Sequence, residues 1–235
     1  AAYREVRDAL AGRRQVSEYV QTLTHEIKSP LSAIRGAAEL LQEPLPEPER
    51  QRFLCNIQRE TQRIQDLVDR LLELAALETR HRLEAVELLD LRDLAREAVL
   101  ATQPLAQAHQ VTLVLAQGES AQVEGKAFLL QRAIANLIEN AVDFSPPGGR
   151  VDVALLTDPQ RAGVRITDQG PGIPDYAKAR IFEKFFSLAR PHSHKKGTGL
   201  GLAFVREVAS LHRGQVSVAN AEGGGAVATL SLPRG

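Results

Sequence analysis

Apolar residues recur every three or four positions through the first third of the chain. A first series occupies one face of a helix, and its members are Val16, Val20, Leu23, Ile27, Leu31, Ile34, Ala38 and Leu41. A second series with similar spacing comprises Phe53, Ile57, Ile64, Leu67, Val68, Leu71 and Leu74. Segment 44–48 between them contains Pro44, Pro46 and Pro48, and proline interrupts helices. The pattern predicts an antiparallel hairpin of two long helices with a proline-rich loop.

The predicted hairpin has two apolar stripes and little of its own chain to cover them. A second copy of the hairpin would bury both stripes in a four-helix bundle about a two-fold axis. The pattern therefore favours a homodimer formed through the helical hairpin.

The pattern changes beyond about residue 83. Short β-rich runs fall at 111–115, 151–156, 164–167, 215–219 and 226–232. Helical patterns cover 91–108, 127–142 and 202–211, and most of the glycines lie in this part of the chain. Strands mixed with helices and separated by glycine-rich loops indicate an α/β sandwich. The boundary between the two parts is expected near residues 80–88.

Composition narrows the classes of function. The 235 residues contain 29 Lys+Arg and 29 Asp+Glu, and this zero net charge argues against a nucleic-acid partner held by overall attraction to phosphate. No apolar run reaches the roughly 18 residues of a transmembrane helix. The single cysteine, Cys55, cannot form an internal disulfide, which favours a reducing compartment. The chain has no methionine, so we expect it to be part of a longer protein.

A candidate nucleophile lies midway along the first helix. His25 and Glu26 lie off the centre of the apolar stripe, so both side chains are expected to reach solvent. A neutral imidazole has a free lone pair, and a neighbouring carboxylate can hold its other ring N–H. Ser29 lies one helical turn beyond His25. The alternative is an ordinary surface His–Glu pair. A zinc-protease motif is rejected because Ser29 stands where His-Glu-x-x-His needs its second histidine.

Two asparagines mark a second candidate site. Asn136 and Asn140 are four residues apart in the predicted helix 127–142, so they share one face. Their amides offer oxygen ligands to Mg²⁺ and donors to phosphate. The alternative is ordinary polarity of a helix surface.

Asp168 follows the predicted strand 164–167 and precedes Gly170 and Gly172. A carboxylate at a strand end can accept a hydrogen bond from an exocyclic amine, and the glycines let the chain turn close to a ligand. The same residues would also suit a plain turn.

A glycine-rich loop leads directly into the last predicted helix. It consists of Gly197, Thr198, Gly199, Leu200 and Gly201. Such a loop presents backbone N–H groups and the positive end of the helix dipole, which suits phosphate. It is not the Gly-x-Gly-x-x-Gly dinucleotide pattern, and no P-loop motif occurs in the sequence.

Segment 181–186 holds three of the seven phenylalanines, and the polar stretch 187–196 follows it. We interpret the stretch as a mobile lid with an aromatic hinge. It ends in two histidines and two lysines, namely His192, His194, Lys195 and Lys196. Phosphate contact by the lysines is favoured over a metal site at the histidines.

The motifs and their order resemble the transmitter region of bacterial sensor histidine kinases. The matching segments are His25-Glu26-x-x-Ser29-Pro30-Leu31, Asn136-x-x-x-Asn140-Ala141, Asp168-x-Gly170-x-Gly172-Ile173, the phenylalanine cluster and Gly197-x-Gly199-Leu200-Gly201. They are similar to the family's H, N, G1, F and G2 boxes, and the resemblance extends from about residue 15 to 235.

The resemblance implies three parts. Residues 1–15 would end a signalling helix, and residues 16–82 would form the dimerisation and histidine phosphotransfer domain. Residues 83–235 would form a catalytic ATP-binding domain with the Bergerat-type (GHKL) α/β sandwich. ATP and Mg²⁺ are the implied cofactors.

Roles for the site residues also follow from the resemblance. His25 would be the phosphoacceptor, with Glu26 taking the ring proton. Asn140 would hold Mg²⁺, with Asn136 near the phosphates. Asp168 would recognise the adenine amine beside Gly170 and Gly172. The loop from Gly197 to Gly201 would border the triphosphate.

The implied partner is a cognate response regulator, which receives the phosphoryl group on an aspartate. Glu26 and Ser29 would position a water that dephosphorylates it. The chain would be the cytoplasmic part of an inner-membrane bacterial protein, anchored only through a region upstream of this sequence. Two alternatives are an ATPase of the same superfamily without histidine phosphorylation and a helical adaptor with an inactive nucleotide domain.

Two positions depart from the family pattern. Ser29 stands where Thr or Asn is frequent, which puts the strength of the phosphatase activity in question. Asp143 stands where the N box often has Lys or Arg, so a phosphate-facing cation is absent. Lys195 and Lys196 are therefore expected to matter more.

Overall fold

The computed structural model describes residues 2–80, 82–191 and 197–235, with side chains from residue 20 onward. The chain divides into two compact units, Ala1–Glu73 and Leu74–Gly235.

Two long helices form the first unit. Helix α1 spans Ala2–Leu40, and α2 begins at Glu47 and continues to Glu78, within the second unit. The predicted hairpin is confirmed, although only part of its proline segment 44–48 lies in the loop, because α2 already begins at Glu47. Pro48 lies in the first turn of α2, where a missing backbone N–H costs nothing.

Many apolar side chains of the hairpin are not covered within one chain. Ala37 and Leu67 are buried. The large apolar residues that stay exposed on the hairpin are Val20, Leu31, Leu40, Leu54, Val68 and Leu72. These are the positions that a second hairpin would cover, and the homodimer stays a prediction.

The second unit is built on a five-stranded sheet. Its strands are β2 (Thr112–Leu115), β4 (Arg150–Thr157), β5 (Arg161–Thr167), β6 (Gln215–Asn220) and β7 (Ala226–Pro233). Their order across the sheet is β2-β4-β5-β7-β6. Strand β2 pairs with β4 in parallel, and the remaining pairs are antiparallel. A separate antiparallel pair joins β1 (Glu87–Asp90) to β3 (Gln122–Gly125).

A helical layer packs on the five-stranded sheet. It contains α3 (Leu91–Ala108), α4 (Ala127–Phe144) and α6 (Gly201–Leu211), and α4 contacts both of the others. The core between the layers includes Ile134 and Ile138 from α4 and Ile166 and Leu230 from the sheet, all essentially inaccessible to solvent. The predicted α/β sandwich is confirmed. A short helix, α5 (Asp175–Lys178), follows β5.

The sequence patterns did not predict β1, β3 or α5. Each has four residues, which is too short for a period of 2.0 or 3.6 to become visible. In the described part of the chain, no helix has the length and apolar character needed to cross a membrane.

Candidate functional site

His25 is exposed on α1, as the sequence predicts. Its neighbour Glu26 is directed across the hairpin, where Oε2 lies 3.5 Å from Nη2 of Arg63 on α2. Arg63 also contacts Glu60, at 3.8 Å. Among the described residues, no hydrogen bond joins Glu26 to His25, and Ser29 is exposed one turn further along α1. The imidazole is accessible, and Arg63 is the residue that fixes the Glu26 carboxylate.

The two asparagines lie on α4 in different environments. Asn136 is only 7% exposed, and its Nδ2 donates to the Arg132 carbonyl at 3.0 Å. Asn140 is half-buried, and its amide has no hydrogen-bond partner among the residues that the structure describes. Because Asn136 is buried, it is not an ordinary polar residue on the surface of the helix. The Asn140 amide is available to a ligand.

The glycine-rich loop reaches these asparagines. A Cβ placed on Gly201 would lie 3.2 Å from Asn136 Oδ1 and 3.8 Å from Asn140 Nδ2. Gly201 begins α6, whose first backbone N–H groups carry the positive end of the helix dipole. Leu200 is buried, so only its backbone can serve a ligand. The fold thus brings together two segments that are about 60 residues apart in sequence.

The loop is also anchored to the phenylalanine cluster. Gly199 has a φ of +67°, and a Cβ there would collide with the Phe185 backbone. The Phe185 N–H donates to the Gly199 carbonyl at 2.9 Å. Gly197 and Thr198 are partly exposed at the start of the loop. Half of the predicted lid, residues 192–196, falls outside the described residues. That half contains the predicted phosphate contacts Lys195 and Lys196 and the alternative metal ligands His192 and His194.

Asp168 is a buried carboxylate at the end of β5, with 8% exposure. Its Oδ1 accepts hydrogen bonds from the backbone N–H of Gly170 at 2.8 Å and of Ala226 at 3.0 Å. Burial raises the pKa of Asp168, and these two bonds oppose the shift. Oδ2 has no partner within the described part of the chain and is available to accept from a ligand.

Three glycines let the backbone close around Asp168. A Cβ on Gly170 would lie 2.6 Å from the carbonyl oxygen of Phe144, the last residue of α4. Gly225 has a φ of +87°, and a Cβ there would overlap the Asp168 carbonyl. At Gly172, where φ is +75°, a Cβ would lie 2.9 Å from Asn220 Oδ1. The Asp168 loop is therefore packed against the helix that carries both asparagines.

Asn220 fixes the same loop. Its Oδ1 accepts from the Ile173 N–H at 2.6 Å, and its Nδ2 donates to the Ile173 carbonyl at 3.1 Å. Ile173, Ala177 and Ile181 form a small buried apolar cluster, with Phe182 and Phe186 packed against it. Sequence reasoning missed Asn220, since a lone asparagine at a strand end carries no signal of a contact 47 residues away.

We call the surface formed by Asn136, Asn140, Asp168, Gly170 and Gly201 the cradle. It offers an amide oxygen, a carboxylate oxygen and the N-terminus of a helix, which together suit a polar ligand carrying an anionic group. The described residues include no group of three or more His, Cys, Asp or Glu side chains that could hold a metal. A cation here would need other ligands besides the protein.

Two family models match the chain. Residues 15–80 match the His Kinase A (phospho-acceptor) domain. Residues 125–235 match the histidine kinase-, DNA gyrase B-, and HSP90-like ATPase family.

Individual relatives agree with the family models. Sensor protein CreC of Escherichia coli is 43% identical over 99% of this chain and 48% of its own length. The solved structure of the mycobacterial sensor histidine kinase MprB is 34% identical, with a TM-score of 0.54, over 64% of this chain and 98% of that one. Histidine kinase ThkA, solved in complex with response regulator protein TrrA, shares the fold, with a TM-score of 0.77 at 23% identity over 99% of this chain and 66% of that one.

The chain spans about half the length of the curated relatives that it matches. Both halves of its architecture and its ordered motifs agree with one family. The chain belongs to the bacterial two-component sensor histidine kinases and corresponds to their transmitter region.

Proposed function

We propose that this chain is an ATP-dependent protein histidine kinase that phosphorylates His25 and passes the phosphoryl group to an aspartate of a response regulator. One observation carries the proposal. The same chain has an exposed histidine on a helical hairpin and, in its second unit, a cradle whose Asn140 amide and Asp168 Oδ2 have no partner among the described residues. The match to an ATPase family supports ATP as the ligand of the cradle.

Each cradle residue has a role toward ATP. Asp168 Oδ2 accepts from the exocyclic amine of adenine, since Oδ1 is already committed to two backbone N–H groups. Gly170 and Gly172 form the adjoining wall. Asn136 and the loop from Gly197 to Gly201 border the phosphates, where the N-terminus of α6 favours negative charge.

Magnesium fits the residues that are present. Mg²⁺ prefers oxygen ligands, keeps several waters and is usually bound through one or two protein groups plus substrate phosphates. Asn140 offers such an oxygen, since its amide makes no hydrogen bond to any described residue. When bound, Mg²⁺ would neutralise charge on the β- and γ-phosphates.

The chemical step uses His25 and Glu26. A neutral ring nitrogen of His25 attacks the γ-phosphorus of the substrate in line. The N–P bond forms while the bond from phosphorus to the β–γ bridging oxygen breaks, which releases ADP. Glu26 accepts the proton from the other ring nitrogen, and for this its carboxylate exchanges the contact with Arg63 for one with His25.

Phosphotransfer and phosphatase activity complete the proposal. A regulator carboxylate attacks the phosphorus of phosphorylated His25, so the N–P bond breaks and an acyl phosphate forms. Glu26 and Ser29 then orient a water toward that acyl phosphate. The response-regulator complex of ThkA supports this class of partner.

We also propose that the intact protein is a membrane-anchored sensor, with this chain on its cytoplasmic side.

The test is labelling with γ-³²P-ATP and Mg²⁺. The parent is expected to acquire an acid-labile, alkali-stable label, and His25→Gln is expected to lose it. Arg35→Gln is the control, since Arg35 is exposed on the same helix and its ion pair in the described part of the chain is with Glu39, at 3.6 Å. This variant should label as the parent does.

Three results would contradict the proposal. Equal labelling of His25→Gln would exclude His25 as the acceptor. Phosphate release into water with no labelled protein would indicate an ATPase of the same superfamily, and absence of ATP binding would indicate an adaptor with an inactive nucleotide domain.

A further inference from the structure

An ion pair joins α4 to the segment that follows the phenylalanine cluster. Nη2 of Arg190 contacts Oδ2 of Asp143, which lies on α4 with 8% exposure. His109 Nε2 lies 3.9 Å from the other carboxylate oxygen. The Arg190 side chain remains 35% exposed. Asp143 is thus held from one side by a guanidinium that still faces solvent.

Two observations place this pair beside the cradle. Asn136, Asn140 and Asp143 are spaced i, i+4 and i+7 on α4, so Asp143 continues the stripe of the two asparagines. A Cβ placed on Gly197 would lie 3.5 Å from Nη2 of Arg190. The guanidinium therefore lies between α4 and the start of the glycine-rich loop, on the side that we assign to the phosphates.

A bare carboxylate at this place would oppose a polyphosphate. Like charges in a partly dehydrated site repel strongly, and a buried carboxylate without a partner is itself unfavourable. Arg190 removes the conflict by cancelling the charge of Asp143. Guanidinium has five N–H donors, so contact with one carboxylate leaves others for phosphate oxygens.

We propose that Asp143 and Arg190 act as one charge-matched unit that sets affinity for the polyphosphate of the nucleotide. Arg190 neutralises Asp143 and directs its remaining donors to the phosphates, and Asp143 positions Arg190. The sequence alone favoured Lys195 and Lys196 for this cation, and within the described residues the structure places Arg190 against Asp143. The inference rests on the proposed function, because it assumes that the cradle binds ATP.

Calorimetric titration of four chains with AMPPNP, ADP and adenosine in the presence of MgCl₂ tests the proposal. The chains are the parent, Arg190→Gln, Asp143→Asn and the double variant. Arg190→Gln removes the guanidinium from Asp143 and from the side assigned to the phosphates, so the affinity of this variant for AMPPNP is expected to fall about tenfold or more. Adenosine has no phosphate, and its affinity should not change.

The double variant gives the decisive comparison. Removing the carboxylate as well should restore most of the AMPPNP affinity that Arg190→Gln loses. The effects of the two substitutions would then not add, which indicates direct coupling between Asp143 and Arg190. A purely structural role would change adenosine and AMPPNP affinity in parallel. Arg96→Gln is the control, because it breaks the exposed Arg96–Asp93 pair of 2.8 Å on α3 and should alter neither ligand.

The outcomes separate this inference from the proposed function. If the parent binds AMPPNP and Arg190→Gln binds it equally well, the charge-matched unit is wrong while the kinase proposal stands. The same holds if Asp143→Asn does not rescue Arg190→Gln. If the parent binds neither AMPPNP nor ADP, the proposed function fails, and this inference fails with it.

Discussion

At the scale of single residues, Asp168 combines a cost to folding with the role in adenine recognition that we propose for it. It is buried and has no cationic partner in the described part of the chain, and burial raises its pKa. An ionised carboxylate in such a place is unfavourable, and folded proteins retain such groups mainly where a ligand uses them. The two backbone N–H groups on Oδ1 hold the side chain in place, and Oδ2 is the atom that we propose for recognition of adenine.

We expect Asp168→Asn to lose nucleotide affinity without losing stability. The pKa of Asp168 in the folded chain is raised above 3.8, the value for the unfolded chain. As pH rises from 3.8 to the raised pKa, Asp168 therefore loses its proton first in the unfolded chain, and the stability of the native state falls. The cost is therefore complete at neutral pH, and asparagine removes it while an amide oxygen still accepts both N–H groups. The melting temperature should match the parent's or rise by up to about 3 °C.

Calorimetric titration with AMPPNP and thermal unfolding between pH 3 and pH 8 measure the two effects. Asp158→Asn is the control, because Asp158 also accepts two backbone N–H bonds but lies in the exposed turn before β5. Normal AMPPNP affinity in Asp168→Asn would contradict the assigned recognition of adenine.

At the scale of elements, His212 joins the end of α6 to the start of α4. Its Nδ1 donates to the Val208 carbonyl at 2.7 Å, and its Nε2 accepts from the Lys126 N–H at 3.1 Å. The imidazole is therefore neutral, with its proton on Nδ1, and burial lowers its pKa. Gly201, at the other end of α6, faces the two asparagines of α4. His212 therefore helps to hold together the two helices that present the cradle.

We expect His212 to make the second unit acid-sensitive. Because its folded-state pKa lies below 6.5, the unfolded chain binds the proton first, so stability is complete above pH 6.5 and falls as pH decreases toward the lowered pKa. His212→Gln should be less stable at pH 8 by about 1–3 kcal/mol, the cost of a disrupted buried hydrogen bond. It should lose less stability than the parent between pH 8 and pH 5.

Urea unfolding followed by circular dichroism at each pH gives this comparison. His25→Gln is the control, because His25 is an exposed histidine on α1, outside the second unit. An unchanged loss of stability on acidification in His212→Gln would assign the acid sensitivity to other groups.

At the scale of the whole molecule, the hairpin leaves several large apolar side chains exposed to solvent in the single chain. Leu72 on α2 is 62% exposed, and Val20, Leu31 and Val68 are exposed on the same unit. Contiguous exposed apolar residues mark interaction surfaces in soluble proteins. A second hairpin would cover them and complete the predicted four-helix bundle.

Leu72→Asp should convert the dimer to a monomer, since a carboxylate in a bundle core opposes burial. Light scattering coupled to size-exclusion chromatography measures the mass. Leu100→Asp is the control, because Leu100 is similarly exposed, at 65%, but lies on α3 outside the hairpin. The mass measured for this variant should equal that of the parent. A monomeric parent would contradict the hairpin dimer.

The sequence by itself determined the local structure and the family. Apolar spacing predicted both long helices, α3, α4, α6 and the strands of the five-stranded sheet, because periods of 2.0 and 3.6 are local properties of the chain. The order of the motifs predicted the transmitter region. The asparagine pair, Asp168 and the glycines were predicted because each combines an unusual residue type with a recognisable spacing.

Only the tertiary structure decided which side chains meet. The strand order β2-β4-β5-β7-β6, the Glu26–Arg63 pair and the Asp143–Arg190 pair join residues that no local period relates. The Lys126–His212 bond spans 86 residues. Local spacing fixes which face of an element a residue occupies, whereas packing between elements fixes what faces it. For that reason the sequence could predict the residue types of a nucleotide site, whereas only the fold places Arg190 against Asp143.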